Sequence, residues 1–211
     1  MYKLFYYPRN ASWAPHMVLQ ELGAEHELVL VDRKSEVQKG QDYLKINPTG
    51  RIPTLLDGET AIFESAAICI HLSDAHVGSK LIPTSPSHRA QFFQWLFYLT
   101  TTIQPELMLH FYPEKHAEPD HCRQSIIENQ ERRLGEMFEL VDKQLSRFDY
   151  MAGNTLTLCD FFLFMLSDWA GNLKKTPLSY PYLGAHLRNL AKRPSIVDAS
   201  HIEGTSLEAY R

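Results

Sequence analysis

Along the first part of the chain, apolar residues fall in short runs that alternate with helical patterns; further on they recur only at helical spacing. Residues 2–7 form an aromatic, apolar stretch stopped by Pro8, which predicts a strand. Pro15, Val18, Leu19 and Leu22 follow at helical spacing until Gly23, a C-capping residue. Leu28, Val29, Leu30 and Val31 predict a short buried strand, after which a polar stretch leads to a helical piece around Tyr43 and Leu44. Asn47-Pro48-Thr49-Gly50 marks a turn, and residues 52–56 and 60–63 flank Asp57-Gly58, a strong hairpin signal. Residues 64–74 then read as a helix with Ala66, Ala67, Ile70 and His71 or Leu72 available for one face.

Residues 78–87 are rich in turn formers and predict a linker. Beyond it Phe92, Leu96, Leu99 and Ile103 share one helical face, and Ile127, Leu134, Phe138, Val141 and Leu145 do the same in a long helix expected over about 120–147. Thr157 and Asp160 match a capping box ahead of the apolar run 161–166, which predicts a central buried helix. A last helix is expected over about 182–192, before Arg193-Pro194, with a loosely held tail after Ser200. The fold class is therefore α+β: a mixed domain over 1–77, a linker over 78–87 and an all-helical domain over 88–211.

Composition narrows the function. The 211 residues, 44% of them hydrophobic, suffice for a globular core, and 21 basic against 25 acidic residues leave a net charge of −4, without the basic footprint of a nucleic-acid binder. No apolar stretch is long enough to span a membrane, and Pro8 interrupts any leader-like core, so a soluble cytoplasmic protein is expected. Cys69, Cys122 and Cys159 are too far apart for a redox or zinc pair and read as reduced thiols. The ten histidines form no H-E-x-x-H, and His116, His121 and Cys122 are weakly spaced for a metal, so none is expected.

Four segments in order, residues 7–16 (Tyr-Pro-Arg-Asn-Ala-Ser-Trp-Ala-Pro-His), residues 47–53 (Asn-Pro-Thr-Gly-Arg-Ile-Pro), Glu64-Ser65, and Gly153-x-Thr155-x-Thr157-x-x-Asp160, together resemble the cytosolic glutathione transferase family over nearly the whole chain. The resemblance implies a thioredoxin-like N-terminal domain that binds glutathione as co-substrate, a helical domain that shapes a second-substrate pocket, and usually a homodimer. Glu64-Ser65 opens a helix directly after a strand, where first-turn amides and a serine hydroxyl can meet an anion; in the family the pair holds the γ-glutamyl end of glutathione. Arg51-Ile52-Pro53 resembles the family loop in which the residue before a cis-proline offers its backbone N–H and C=O to an extended peptide. Lys39, with Arg51 as helper and Lys34 as competitor, resembles the cation that receives the glycyl carboxylate.

The family lowers the glutathione thiol pKa with a hydrogen-bond donor in the loop after the first strand. The run Ala14-Pro15-His16 looks most like the bacterial beta-type members, but Ala11 stands where they carry a cysteine, so a mixed disulfide at this loop is not expected. Ser12 is the first candidate for the donor and Asn10 the second, with Tyr6 or Tyr7 as tyrosine-type alternatives. Phe97 and Gln104 stand where beta-type members carry an asparagine and a histidine; with Thr101, Pro105, Met108, Tyr112 and Trp169 they are candidates for an apolar pocket with Trp13 at its mouth. The expected reaction is conjugation of the glutathione thiolate to small apolar electrophiles. A glutathione-dependent disulfide reductase or peroxidase, and a non-catalytic binding module on the same fold, are the alternatives.

Overall fold

The computed structural model describes residues 1–116 and 121–211. They form two compact units: Met1–Ile82 together with Ala191–Arg211, and Pro83–Leu190. Whereas the sequence pattern assigns everything from 88 onward to one helical domain, the last residues of the chain return to the N-terminal unit.

In that unit β1 (Tyr2–Tyr6), α1 (Trp13–Glu21), β2 (His26–Leu30), α2 (Gln41–Ile46), β3 (Thr54–Asp57), β4 (Thr60–Phe63) and α3 (Ser65–Ala75) follow in order, with α9 (Pro194–Ile202) joining from the far end of the sequence. The sheet order is β2-β1-β3-β4; β1 runs parallel to β2 and antiparallel to β3, and β4 is antiparallel to β3. Alternation along β1 sends Leu4 to a core shared with Val18, Leu19, Leu55, Ile68 and Leu72, all fully buried. Phe5 and Tyr7 face the other way, onto the cluster of Val31, Tyr43 and Ile52 contributed largely by the α2 side. β2 lies at a sheet edge and is only partly covered, with Leu30 60% exposed, so the fully buried strand suggested by its apolar run is not found. The Ile52–Pro53 bond is cis, and Gly58 turns the β3–β4 hairpin at φ +59°.

The second unit contains α4 (Pro86–Phe97), α5 (Gln104–Phe111), α6 (His121–Leu145), α7 (Leu158–Trp169) and α8 (Pro181–Leu190). The expected start of the long helix at Asp120 lies outside the described residues. Phe92, Leu96, Leu99, Ile103, Leu107, Leu134, Phe138 and Val141 are fully buried, as the helical spacing requires. Between α4 and α5 the helix widens into a π segment, Tyr98–Ile103. Every residue of α7 from Leu158 to Ser167 is buried. Its N-terminus is fastened by Asp160, which accepts from Thr157 N (2.8 Å), Thr157 Oγ1 (3.2 Å), Met151 N (2.9 Å) and His186 Nε2 (3.0 Å).

Two expectations at the C-terminal end are corrected. Arg193-Pro194 does not close the last helix; Pro194 opens another, because a proline at the first helical position lacks only an amide hydrogen that would be unpaired anyway. Nor is the tail loose: Glu203, Thr205 and Tyr210 are buried, and Thr205 N donates to Ser200 O at 2.8 Å.

Candidate functional site

The sheet register gathers the suggestive segments at one end of the N-terminal unit. Phe5 pairs with Thr54 and Thr54 with Phe63, so the strand ends beyond them, Tyr6-Tyr7, Ile52-Pro53 and Glu64-Ser65, lie side by side. The loop between β1 and α1 is tied to the start of α3, for Ser65 Oγ donates to Ala11 O at 2.8 Å. Glu64 adopts φ 70°, a left-handed value that costs a non-glycine residue about 1–3 kcal/mol, and its carbonyl accepts the first helical bond of α3, from Ile68 N at 3.0 Å. The amides of Ser65, Ala66 and Ala67 precede that bond and are available to an anion at the positive end of an 11-residue helix.

The loop itself separates the two donor candidates. Ser12 is fully buried; its hydroxyl donates to Tyr7 O at 3.1 Å and accepts from Tyr7 N at 3.3 Å. It could meet a ligand only by giving up the Tyr7 carbonyl. Asn10 is half-buried, and its Oδ1 accepts from Ala11 N at 2.8 Å, which fixes the carboxamide while no described residue accepts from Nδ2. Of the tyrosines, Tyr7 faces the hydrophobic cluster beside α2, and Tyr6 packs toward the His16 ring with centroids 6.4 Å apart. Burial, then the nearby Glu203 charge, pushes the Tyr6 hydroxyl above its ordinary pKa, so it remains protonated.

Behind the loop lies a pair that sequence reasoning missed. His16 Nδ1 donates to Glu203 Oε1 at 2.8 Å with both side chains fully buried, and Glu203 Oε2 accepts from Arg9 N at 3.1 Å. Nothing in the pattern around Glu203 sets it apart from an ordinary surface glutamate; only the fold of the last residues brings it to α1.

The segment before β3 is held from inside. Asn47, 1% exposed, donates through Nδ2 to Arg51 O (2.8 Å) and Thr54 Oγ1 (3.0 Å), while its Oδ1 accepts from Thr49 N and Thr49 Oγ1. The Tyr43 hydroxyl donates to Arg51 O at 2.8 Å. These bonds bracket Ile52-Pro53 and hold the segment, which bends at Ile52, at the start of β3. Lys39 is exposed and lies against Gly50, and among the described residues neither Lys39 nor Arg51 has a carboxylate partner. Lys34, by contrast, neighbours Asp32, whose carboxyl is held below its ordinary pKa by hydrogen bonds from Ser35 first and by the Lys34 charge last.

The candidates for an apolar pocket divide. Trp13 is fully buried inside the N-terminal unit and cannot stand at a pocket mouth. Phe97, Thr101 and Pro105 are exposed and Gln104, Met108, Tyr112 and Trp169 half-buried in the helical unit. Cys69 and Cys159 are buried free thiols whose pKa values burial raises, and Cys122 is a half-buried free thiol. Among the described residues there is no cluster of three or more metal-ligating side chains, and no helix is long and apolar enough to cross a membrane.

Sequence profiles described as "Glutathione S-transferase, N-terminal domain" and "Glutathione S-transferase, C-terminal domain" match residues 1–74 and 102–194. The chain is 30% identical over 205 residues to the glutathione S-transferase GstA of Escherichia coli O157:H7, covering 96% of this chain and 98% of that protein. It is similar in structure to a sphingomonad glutathione S-transferase complexed with glutathione, with TM-score 0.83 and 30% identity over 97% of this chain and all of the other. The glutathione S-transferase from Xylella fastidiosa, at 22% identity and TM-score 0.90 over 98% of this chain and all of the other, shares the fold.

Proposed function

Because the chain belongs to the glutathione S-transferase family, we propose that the sheet end formed by Tyr7, Ile52-Pro53 and Glu64-Ser65 binds glutathione and that the loop 10–12 activates its thiol. The observation that carries this reading is the register that brings those strand ends together with the Ser65–Ala11 tie. The first-turn amides of α3, that of Ser65 among them, receive the γ-glutamyl carboxylate, with the Ser65 hydroxyl tied to Ala11 O and Glu64 at the same charged end. The Ile52 backbone pairs with the cysteinyl unit, and Lys39, assisted by Arg51, receives the glycyl carboxylate.

A free thiol with pKa about 8.5 is mostly protonated at neutral pH; a donor to the sulfur lowers that value and releases the proton to water. The thiolate then attacks an electrophilic carbon, forming the S–C bond as a leaving group departs or a conjugated double bond takes up the electron pair. Asn10 Nδ2 is the better-placed donor, and Ser12 supports the loop by holding the Tyr7 backbone. Apolar side chains left open on the helix 86–111, Phe97 and Phe111, support small apolar electrophiles as the second substrate. Such a catalyst is a cytoplasmic homodimer in this reading, and needs no metal.

Calorimetric titration with glutathione tests the binding site. Ser65 Oγ can donate to the carboxylate only by releasing Ala11 O, so Ser65→Ala should weaken binding by about 0.5–1.5 kcal/mol and, by cutting the tie to the loop, lower stability by a similar amount. Unchanged affinity would place the ligand elsewhere. Conjugation and disulfide-reduction assays on the same sample decide between transferase and reductase.

A further inference from the structure

We propose that Gly50 is a positioning residue for the Lys39 ammonium: it forms a floor across which the lysine stem is laid, so that the charge is held over the turn that leads into Ile52-Pro53. The inference rests on the reading above, in which Lys39 receives the glycyl carboxylate of glutathione.

A side chain at this position would crowd Lys39, whose end would have to give way by a few tenths of an ångström. A Cβ built on Gly50 would lie 3.0 Å from Lys39 Nζ and 3.1 Å from Lys39 Cδ, so the whole end of the lysine passes over the glycine. It would also lie 3.1 Å from Gln38 O, a main-chain atom that cannot step aside as a side chain can. Gly50 cannot relax the contact by moving, because Gly50 N donates to Asn47 O at 3.0 Å and Asn47 and Tyr43 hold Arg51 O on the other side. Its φ of +59° adds a second reason for glycine, though that strain alone would not concern Lys39.

Lys39 itself stands at the end of the short 3-10 turn Val37–Lys39, where Lys39 N donates to Glu36 O at 2.8 Å. Its backbone is therefore fixed on one side and its stem on the other. A long, solvated side chain ordinarily loses much rotamer freedom when it binds an anion. Laying it over Gly50 removes part of that freedom beforehand, which is the general route by which a preorganised contact strengthens binding. Without an acidic partner among the described residues, the ammonium is left to an external carboxylate.

The test compares glutathione with its glycyl monoethyl ester, which lacks the C-terminal charge. The parent protein should bind the acid about 5- to 10-fold more tightly than the ester, and Lys39→Ala should remove most of that preference, leaving the share that Arg51 supplies. Gly50→Ala should lose most of the preference too, yet weaken ester binding by less than about 2-fold, and should add nothing in the Lys39→Ala background. Gly50→Asn, whose side chain tolerates a left-handed backbone but still carries a Cβ, should behave the same way and separates crowding from strain. If Gly50→Ala and Gly50→Asn weaken acid and ester equally, or add to Lys39→Ala, Gly50 acts on the backbone and the inference fails while the assignment of Lys39 stands. If Lys39→Ala leaves the preference intact, the reading beneath it fails instead.

Discussion

A serine hydroxyl has one hydrogen to give, and Ser12 gives it to Tyr7 O inside a fully buried site. To stabilise a thiolate it would have to rotate away and strand that carbonyl, a cost that offsets the new bond. Asn10 faces no such choice, since its Oδ1 is occupied by Ala11 N and its Nδ2 is not needed to hold the loop. Asn10→Ala should therefore raise the pKa of bound glutathione by about one unit and lower turnover at neutral pH by about 10-fold, with the defect shrinking as pH rises past the thiol pKa. Ser12→Ala should cost about 1 kcal/mol of stability and leave the thiolate titration in place. Ultraviolet absorbance of bound thiolate against pH reads both; a curve that shifts with Ser12→Ala and not with Asn10→Ala reverses the roles. The sequence identifies the loop and its polar residues, but a serine at a helix start serves capping, scaffolding and catalysis with the same atoms. Only the direction of its hydroxyl distinguishes them, and that depends on how Tyr7 turns at the end of β1.

Elements were legible wherever their boundaries follow local chemistry. The capping box at Thr157 and Asp160 marks the start of α7 in the sequence and in the structure alike. What the motif conceals is the number of groups that depend on one carboxylate. A simple cap is worth about 0.5–2 kcal/mol, but Asp160 also holds Met151 N and His186 Nε2, both in buried surroundings. Asp160→Ala should therefore lower stability by about 3–5 kcal/mol, whereas Thr157→Ala, which leaves the backbone bond from Thr157 N, should cost about 1 kcal/mol. Denaturant midpoints compare the two, and equal losses would mean that the remote partners contribute nothing. The π segment Tyr98–Ile103 left no trace in the apolar spacing, because Leu99 and Ile103 stay on the buried face through it. Its closing bond runs from Gln104 N to Leu99 O, directly before Pro105, which has no amide hydrogen to offer the preceding turn. The α9 helix was missed for a related reason, since a proline read as a stop is equally a start.

At the scale of the whole chain, the order of elements was enough to expect a mixed unit followed by a helical one, since each strand and helix announces itself locally. The return of residues 191–211 to the first unit was not legible, because it depends on contacts between positions nearly the full sequence apart. Glu203 concentrates that dependence: one buried carboxylate joins the final residues to His16 on α1 and to the Arg9 amide, one residue before Asn10. A carboxylate accepts at both oxygens, and both partners here are donors, so charge and geometry agree. Glu203→Ala leaves the buried His16 Nδ1 without its acceptor and gives up the bond from the Arg9 amide, and should cost about 1–3 kcal/mol. Glu203→Gln preserves shape but turns one N–H group toward a donor, so it should recover only part of that loss. Because Arg9 begins the loop that carries Asn10, both variants should also lower turnover while glutathione affinity, set largely by Ile52, Ser65 and Lys39, changes by less than about 3-fold. Thermal midpoints together with separate kcat and binding measurements decide the matter: a variant that loses stability but keeps full turnover would show that Glu203 anchors the end of the chain without disposing the loop.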